Sequence, residues 1–414
     1  MNEGKKSFSL PGGRVVSLED VYGAADKLRS ILKKTELIES PVFSSECGNS
    51  VFIKPENLQV TGAFKIRGAF NKISQLTNEE KARGVIASSA GNHAQGVGYA
   101  AQLLGVKATV VMPATTPIIK VEATKSFGTE VILYGDSYDE AYKKALELQA
   151  AHNYVFIHPF DDVDVLLGQG TLALEIINEL EDVDTILAPI GGGGIISGVA
   201  FAAKMLKPSI KIIGVEPAGA CCIKESLDKD CLVELPMVDT FADGAAVKKP
   251  GTLTFEFIKE FVDEVVAVSD FEILEAILLL MEKHKLVAEG AGALSLAGLN
   301  KIGAHGKKVV CLVSGGNIDI STISAIINRA LMARGRLFCF TVDLPDKPGE
   351  LLHVAKILAD LNANVIKLDH NQSKVMDSLK QVELEVTVET NGNKHVKEIE
   401  AEFGRQGINI HKVY

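Results

Sequence analysis

Between residues 15 and 330, short runs of apolar and β-branched residues alternate with amphipathic segments. The runs fall at 51–53, 84–87, 108–112, 130–133, 185–189, 211–215 and 308–313. Amphipathic stretches lie between them, at 96–104, 138–151, 170–180 and 196–206. Strands that alternate with helices in this way build βαβ units around a parallel sheet. Several of the runs end in Gly, Ser or Pro clusters. Open α/β sheets bind their ligands at the carboxyl ends of the strands, so those clusters are where chemistry is to be sought.

The pattern changes after residue 333. Strand-like alternation covers 337–344, and Pro345-Asp346-Lys347-Pro348-Gly349 makes a turn. A helix over 350–361 carries Leu351, Val354, Ala355 and Leu358 on one face. Strands over 364–368 and 382–388, a helix over 396–403 and a strand over 408–413 follow. The order β-α-β-β-α-β is the ferredoxin-like signature. The expected division is 1–333 and 334–414, with a small lobe at roughly 55–160 in the first part. A chain of 414 residues accommodates two or three domains at about 150 residues each.

Charge and cysteine content narrow the function classes. The net charge is −10, and from Arg334 onward 11 Lys/Arg face 12 Asp/Glu. No part of the chain has the basic patch of a nucleic-acid or anionic-membrane binder. The cysteines at 47, 221, 222, 231, 311 and 339 form no CxxC pair, which fits free thiols in a reducing compartment. The N-terminus has no apolar signal core, and the most apolar helix candidate, 273–281, is far short of the about 20 residues that span a bilayer. A cytoplasmic protein without nucleic-acid or membrane partners is expected.

Four clusters carry chemistry. In Gly62-Ala63-Phe64-Lys65-Ile66-Arg67-Gly68, a lysine stands among small and apolar residues. Burial lowers a lysine pKa and suits a Schiff-base amine; the same residues also read as a surface lysine at a helix start. Ser88-Ser89-Ala90-Gly91-Asn92-His93-Ala94-Gln95-Gly96 follows a strand and opens a helix. Free N–H groups there, with Ser and Asn side chains, make a pocket for a carboxylate. Gly191-Gly192-Gly193-Gly194-Ile195 also follows a strand. It fits neither G-x-G-x-x-G nor a P-loop, but it suits the phosphate of a smaller cofactor. Ser314-Gly315-Gly316-Asn317 ends the last strand. Its hydroxyl suits a ring nitrogen, though alone the cluster reads as a turn.

A phosphate, a ring nitrogen, a lysine-reactive carbonyl and a separate carboxylate describe pyridoxal 5′-phosphate with an amino-acid substrate. Together with Glu56-Asn57-Leu58-Gln59, Asp239-Thr240-Phe241-Ala242-Asp243-Gly244-Ala245-Ala246-Val247 and Glu289-Gly290-Ala291-Gly292-Ala293, the four clusters resemble the fold-type II pyridoxal-phosphate enzymes. The resemblance is nearest to threonine ammonia-lyases (threonine dehydratases) that bear an ACT domain. It implies an α/β catalytic region like the tryptophan synthase β chain, with two lobes and mostly parallel sheets. It also implies a lyase that turns L-threonine into 2-oxobutanoate and ammonia, and L-serine into pyruvate.

By the same resemblance Lys65 is the cofactor-bearing catalytic lysine, which later takes the substrate α-proton. Phe64, Asn92, Gly191, Gly192, Gly193, Gly194, Ile195 and Ser314 bind the cofactor, Asn92 through its 3′-oxygen. Ser89, Ala90, Gly91, Asn92 and His93 take the substrate carboxylate. Serine racemases of this fold carry a serine base where this chain has Ala90, so racemisation by that route is disfavoured. A divalent-cation site of some relatives keeps Glu216 and Ala220 here but has Cys222 where a second acid is expected, with Asp243 unassigned; the metal stays unknown. Glu289 reads either as a neighbour of the cofactor ring or as a helix cap.

The C-terminal module resembles an ACT domain, whose turn at Pro348, Gly349, Glu350 and Leu351, with Asn364 from a second copy, takes an amino-acid effector. Oligomerisation alone is the other reading of this module. Isoleucine or valine suits a role in isoleucine biosynthesis, a nucleotide or no effector a catabolic one. A homotetramer or dimer is implied. The competing functions are a serine racemase or β-replacement synthase of the same fold, and an ACT-based amino-acid sensor.

Overall fold

A hairpin of β1 (Ser7–Ser9) and β2 (Val15–Ser17) leads into β3 (Ile38–Glu39) and β4 (Ser50–Pro55). The small lobe contributes β5 (Val85–Ser88), β6 (Ala108–Met112), β7 (Glu130–Leu133) and β8 (Val155–Phe156). The chain then returns through β9 (Thr185–Pro189), β10 (Lys211–Pro217), β11 (Glu264–Val268) and β12 (Lys308–Val313). This computed structural model describes residues 7–10, 12–303, 305–371 and 381–413. It divides into two units, Met1–Ile318 and Asp319–Tyr414.

The first unit holds two sheets. The larger has the order β11-β10-β9-β12-β4-β3, parallel except for β3 against β4. The smaller has the order β7-β6-β5-β8 and is parallel throughout. Strands covered on both faces read as continuous apolar runs. Accordingly Ile186, Leu187 and Ala188 of β9 and Val309, Val310 and Leu312 of β12 are wholly buried. Each large side chain so buried contributes roughly 1.5–3 kcal/mol of transfer free energy. The strand runs expected at 108–112, 130–133, 185–189 and 308–313 are all present; the two-residue strands β3 and β8 and the strand β11 were not expected.

One helix, Val163–Glu179, organises the core. Asp162 starts it by accepting from the N–H groups of Asp164 (2.8 Å) and Val165 (3.2 Å). It is apolar on nearly every side, as a helix packed all round must be. Helix Lys65–Ser74 and helix Gly194–Leu206 both pack on it. The second approaches so closely that a Cβ at Gly198 would stand 2.1 Å from the Leu166 carbonyl oxygen. The expected helix began only at 170. Gly168 and Gly170 weaken the helical pattern upstream, yet tertiary packing outweighs their propensity cost. The lysine cluster and the glycine run are therefore braced by one helix.

The second unit opens with helix Ile320–Ala333, then β13 (Leu337–Pro345), helix Glu350–Asp360, β14 (Asn364–Asn371), β15 (Gln381–Glu389), helix Asn393–Arg405 and β16 (Ile410–Lys412). The sheet order is β14-β15-β13-β16, antiparallel throughout, as the β-α-β-β-α-β pattern requires. Alternate residues Phe338, Phe340, Val342 and Leu344 meet Val382, Leu384, Val386 and Val388, with Val354, Leu358, Ile399 and Phe403 from the helices. The boundary corrects the expected one: helix Ile320–Ala333 packs against β13, so this unit begins at Asp319 rather than 334. No described helix is long and apolar enough to cross a membrane.

Candidate active site

Lys65 is held by the chain before it. Gly62, at φ 70°, turns the backbone. Ala63 forms an antiparallel bridge with Gly315, and the Phe64 N–H donates to the Ser314 carbonyl at 3.0 Å. The first and fourth clusters are thus stitched together at the start of helix Lys65–Ser74. The partly buried Lys65 Nζ donates to the Pro159 carbonyl at 2.7 Å and lies 5.1 Å from the Phe64 ring centroid. Loss of solvation pushes its pKa down to about 8, against a smaller upward pull from the Glu289 carboxylate. The expectation of a surface lysine does not hold.

Behind Lys65, the same helix is anchored by a buried ion network. Arg67 Nε and Nη2 donate to the two oxygens of Glu56 at 2.7 and 2.8 Å, and Nη1 reaches Glu175 at 2.5 Å. Lys54 Nζ, also fully buried, pairs with Glu175 at 2.8 Å. Glu56 and Arg67 belong to the sequence motifs around Lys65, but nothing local to either residue announces this pairing.

The second cluster follows β5. The Ser89 hydroxyl accepts from the Gly91 N–H at 3.2 Å, and helix Asn92–Leu104 begins directly after. The first N–H groups of a helix have no intrahelical partner, and here they open beside Ser89 and Ala90. His93 does not present its ring to this loop. Its Nε2 meets the Ile157 carbonyl at 2.8 Å inside the core, and burial, with the Lys65 charge second, drives its pKa down to about 3. A neutral ring is the result, so His93 offers the loop only its N–H.

Asn92 joins this loop to the fourth cluster. Its Nδ2 donates to Glu289 Oε1 at 2.6 Å, and its Oδ1 accepts from Asn317 Nδ2 at 2.8 Å. Asn317 Nδ2 also donates to the Thr61 carbonyl at 2.8 Å. Glu289 occupies the N-cap position of helix Gly290–Ala297, but its carboxylate does not cap the helix. It turns to Asn92 instead. Loss of solvation raises its pKa to about 7, opposed chiefly by the Asn92 hydrogen bond. Of the two readings of Glu289, the cap is excluded. The Ser314 hydroxyl is buried and donates to the Ala291 carbonyl at 3.4 Å.

The glycine run lies under a strap formed by residues 157–162. Gly193, at φ 93°, precedes helix Gly194–Leu206, whose first N–H groups face outward from the helix start. A Cβ on Gly192 would stand 2.4 Å from the Phe160 ring, and one on Gly194 2.9 Å from the Phe160 Cβ. Ile195 is buried just behind. Thr254 fixes the run from below, its hydroxyl donating to the Gly192 carbonyl at 2.7 Å. Asp161 in turn caps helix Thr252–Phe261 through the N–H groups of Leu253 (2.8 Å) and Thr254 (3.1 Å). One strap therefore contacts Lys65 through Pro159, the glycines through Phe160 and the Thr254 helix through Asp161. Sequence reading missed this segment; the paired acids before an apolar helix were the signal available.

The metal candidates are otherwise engaged. Both Glu216 oxygens accept backbone N–H groups, from Ile223 and Lys224 at 2.9 Å each, while burial raises its pKa to about 7. Ala220 sits in the short turn Ala218–Ala220 before helix Cys222–Asp228, in which Cys222 is buried. Asp243 is exposed and pairs with Lys120 at 3.6 Å. Among the described residues no group of three or more His, Cys, Asp or Glu is arranged to hold a metal. All six cysteines are free.

Residues 28–315 match the family described as pyridoxal-phosphate dependent enzyme. The chain is 46% identical over 397 residues to the L-threonine ammonia-lyase of Thermotoga maritima, across 96% of this chain and 99% of that protein. It is 43% identical over 324 residues to the catabolic L-threonine dehydratase of Escherichia coli, across 77% of this chain and 97% of that protein. The solved structure of maize serine racemase superposes with a TM-score of 0.72 at 35% identity, covering 76% of this chain and 98% of that one.

Proposed function

The chain belongs to the pyridoxal-phosphate dependent enzyme family, and on that premise we propose that it deaminates L-threonine to 2-oxobutanoate and ammonia. The observation that carries this reading is Lys65: a lysine whose pKa lies near 8, bridged to the Ser314 cluster and joined by one strap to a glycine cradle. The site fits the cofactor. Phe160 and Thr254 come so close to Gly192, Gly193 and Gly194 that a side chain at any of the three would collide, and the run stands at a helix start, where N–H groups without intrahelical partners suit a phosphate. Asn92 keeps a second Nδ2 proton beyond the one given to Glu289.

Pyridoxal phosphate, when bound, supplies a carbonyl for the substrate amine and a ring that accepts the electrons released at the α-carbon. The chain's own residues do the rest. The N–H groups of Gly191, Gly192, Gly193, Gly194 and Ile195 would hold the phosphate, and Phe64 and Asn92 would hold the ring. The Ser89–His93 loop takes the substrate carboxylate on its N–H groups. Lys65, with an appreciable neutral fraction at neutral pH, accepts the α-proton. Ser314, whose hydroxyl now donates to the Ala291 carbonyl, would face the ring nitrogen with a neutral group, which does not favour a charged ring as a carboxylate would. Ala90 carries no proton, which speaks against racemisation despite the likeness to a serine racemase. The balance closes without an oxidant: the β-hydroxyl departs as water, one water returns, and threonine becomes 2-oxobutanoate plus ammonia. L-Serine, lacking only the β-methyl, follows the same course to pyruvate.

The test is a product assay on purified protein supplied with pyridoxal phosphate and L-threonine. Equimolar 2-oxobutanoate and ammonia, lost in Lys65→Ala, is the expected outcome. D-allothreonine, from inversion at the α-carbon alone, or consumption of added sulfide in place of oxo acid marks a racemase or a β-replacement synthase; cofactor uptake with no turnover marks a sensor.

The second unit is proposed as an ACT-type regulatory module on a cytoplasmic homo-oligomer, a tetramer or dimer. Gly349, at φ 103°, precedes helix Glu350–Asp360, with Leu351 exposed on its first turn. This supports a carboxylate site at Pro348, Gly349, Glu350 and Leu351. Asn364 Nδ2 donates to Glu389 at 2.7 Å across β14 and β15, so it would exchange that bond for one to the ligand. Titrating isoleucine against the threonine saturation curve tests the effector, and light scattering tests the assembly.

A further inference from the structure

We propose that Glu289 is the positioning residue that locks the Asn92 amide with its free N–H toward the cofactor's 3′-oxygen; this rests on the proposed function above. An asparagine amide can flip, exchanging donor for acceptor, and only its partners decide which way it faces. Here both ends are decided. Asn317 spends its Nδ2 protons on the Thr61 carbonyl and on Asn92 Oδ1, both at 2.8 Å. Glu289 accepts from Asn92 Nδ2 at 2.6 Å. A flipped Asn92 would set its oxygen against the carboxylate and its NH2 against another NH2. One Nδ2 proton then remains, and its direction is fixed.

The neighbourhood is built to admit this chain. A Cβ on Gly315 would stand 2.5 Å from Glu289 Oε1 and 3.1 Å from Asn92 Nδ2. A Cβ on Gly62 would stand 2.3 Å from Asn317 Oδ1. Both glycines therefore keep room for the amide–carboxylate chain. Glu289 also declines the ordinary use of its place in the sequence, since it begins helix Gly290–Ala297 without capping it. The charged groups acting on it are Lys65, Lys120 and Asp243. Its backbone is fixed separately, its N–H donating to the Gly315 carbonyl at 3.1 Å. A change at its carboxylate thus acts on Asn92 rather than on the loop.

The experiment measures dissociation constants of the full chain for pyridoxal phosphate and for its analogue with hydrogen in place of the ring hydroxyl. Wild type, Glu289→Ala and Glu289→Gln are compared, with melting of the cofactor-free proteins as a control on folding. Removing one partner of a positioned hydrogen bond costs on the order of tenfold in affinity. Glu289→Ala is expected to weaken pyridoxal phosphate by about that factor and the analogue by less than about threefold. Glu289→Gln, which keeps an acceptor, is expected to restore most of the affinity. Equal loss for both ligands, no loss in Glu289→Ala, or a Glu289→Gln as weak as Glu289→Ala overturns the proposal. A wild type that forms no 2-oxobutanoate from L-threonine and binds neither ligand overturns the function itself, a result distinct from these.

Discussion

Arg67 and Glu56 face each other in a two-point fork, 2.7 and 2.8 Å, with both side chains wholly shielded from solvent. The fork joins the turn after β4 to the helix that begins at Lys65. Breaking one partner of such a buried pair leaves an uncompensated charge, typically at about 3–5 kcal/mol. Glu56→Gln and Arg67→Met are each expected to lose stability on that scale in urea unfolding of the cofactor-free protein. The double variant is expected to recover part of it. Additive losses would show that the pair is not coupled.

Lys65 makes stability depend on pH in a definite direction. Its folded pKa of about 8 lies below the ordinary 10.5. Between those values the unfolded chain holds a proton that the folded chain lacks, so stability rises with pH across that window. Below pH 8 the folded state bears the full cost of the charge, about 1–3 kcal/mol once solvent reaching the partly exposed amine is allowed for. Lys65→Met is expected to exceed wild type in cofactor-free stability at pH 7, with the gap closing toward pH 10. Urea melts across that range check it; a constant gap contradicts it.

Gly192 and Phe160 define the cradle by contact. Gly192→Ala puts a methyl 2.4 Å from the ring carbons of Phe160. Pyridoxal phosphate affinity is expected to fall by about tenfold or more, since displaced N–H groups no longer converge. Adding Phe160→Ala is expected to return part of the loss. Fluorescence titration with the cofactor reads both, and an unaltered Gly192→Ala would mean that the ring swings away without consequence.

Ala90 is the position at which a second proton carrier is missing. Ala90→Ser is expected to create slow conversion of L-serine to D-serine and to lower the share of pyruvate. Chiral chromatography checks this. Unchanged product ratios would show that the hydroxyl alone does not supply the opposite-face proton.

The parts legible in the sequence are those whose signal is local. Lys65, the Ser89–His93 loop, the glycine run and Ser314 each stand at a strand end or helix start, where residue type and neighbours suffice. The pairing of Asn92 with Glu289 spans 197 positions and leaves no mark in either neighbourhood. His93 looked like a loop ligand by position, but its ring turns to the Ile157 carbonyl. The boundary at Ile318 rests on helix Ile320–Ala333 packing against β13, a tertiary contact that the helix's own residues do not announce. Two-residue strands such as Val155–Phe156 are set by the sheet edge they join, not by their own composition.

The most direct test of the account is to reduce the cofactor-loaded protein with borohydride and map the modified peptide by mass spectrometry. The account predicts pyridoxyl phosphate on Lys65 alone, with activity toward L-threonine lost in proportion to labelling. A label on any other lysine, or full labelling of Lys65 that leaves 2-oxobutanoate production intact, would contradict it.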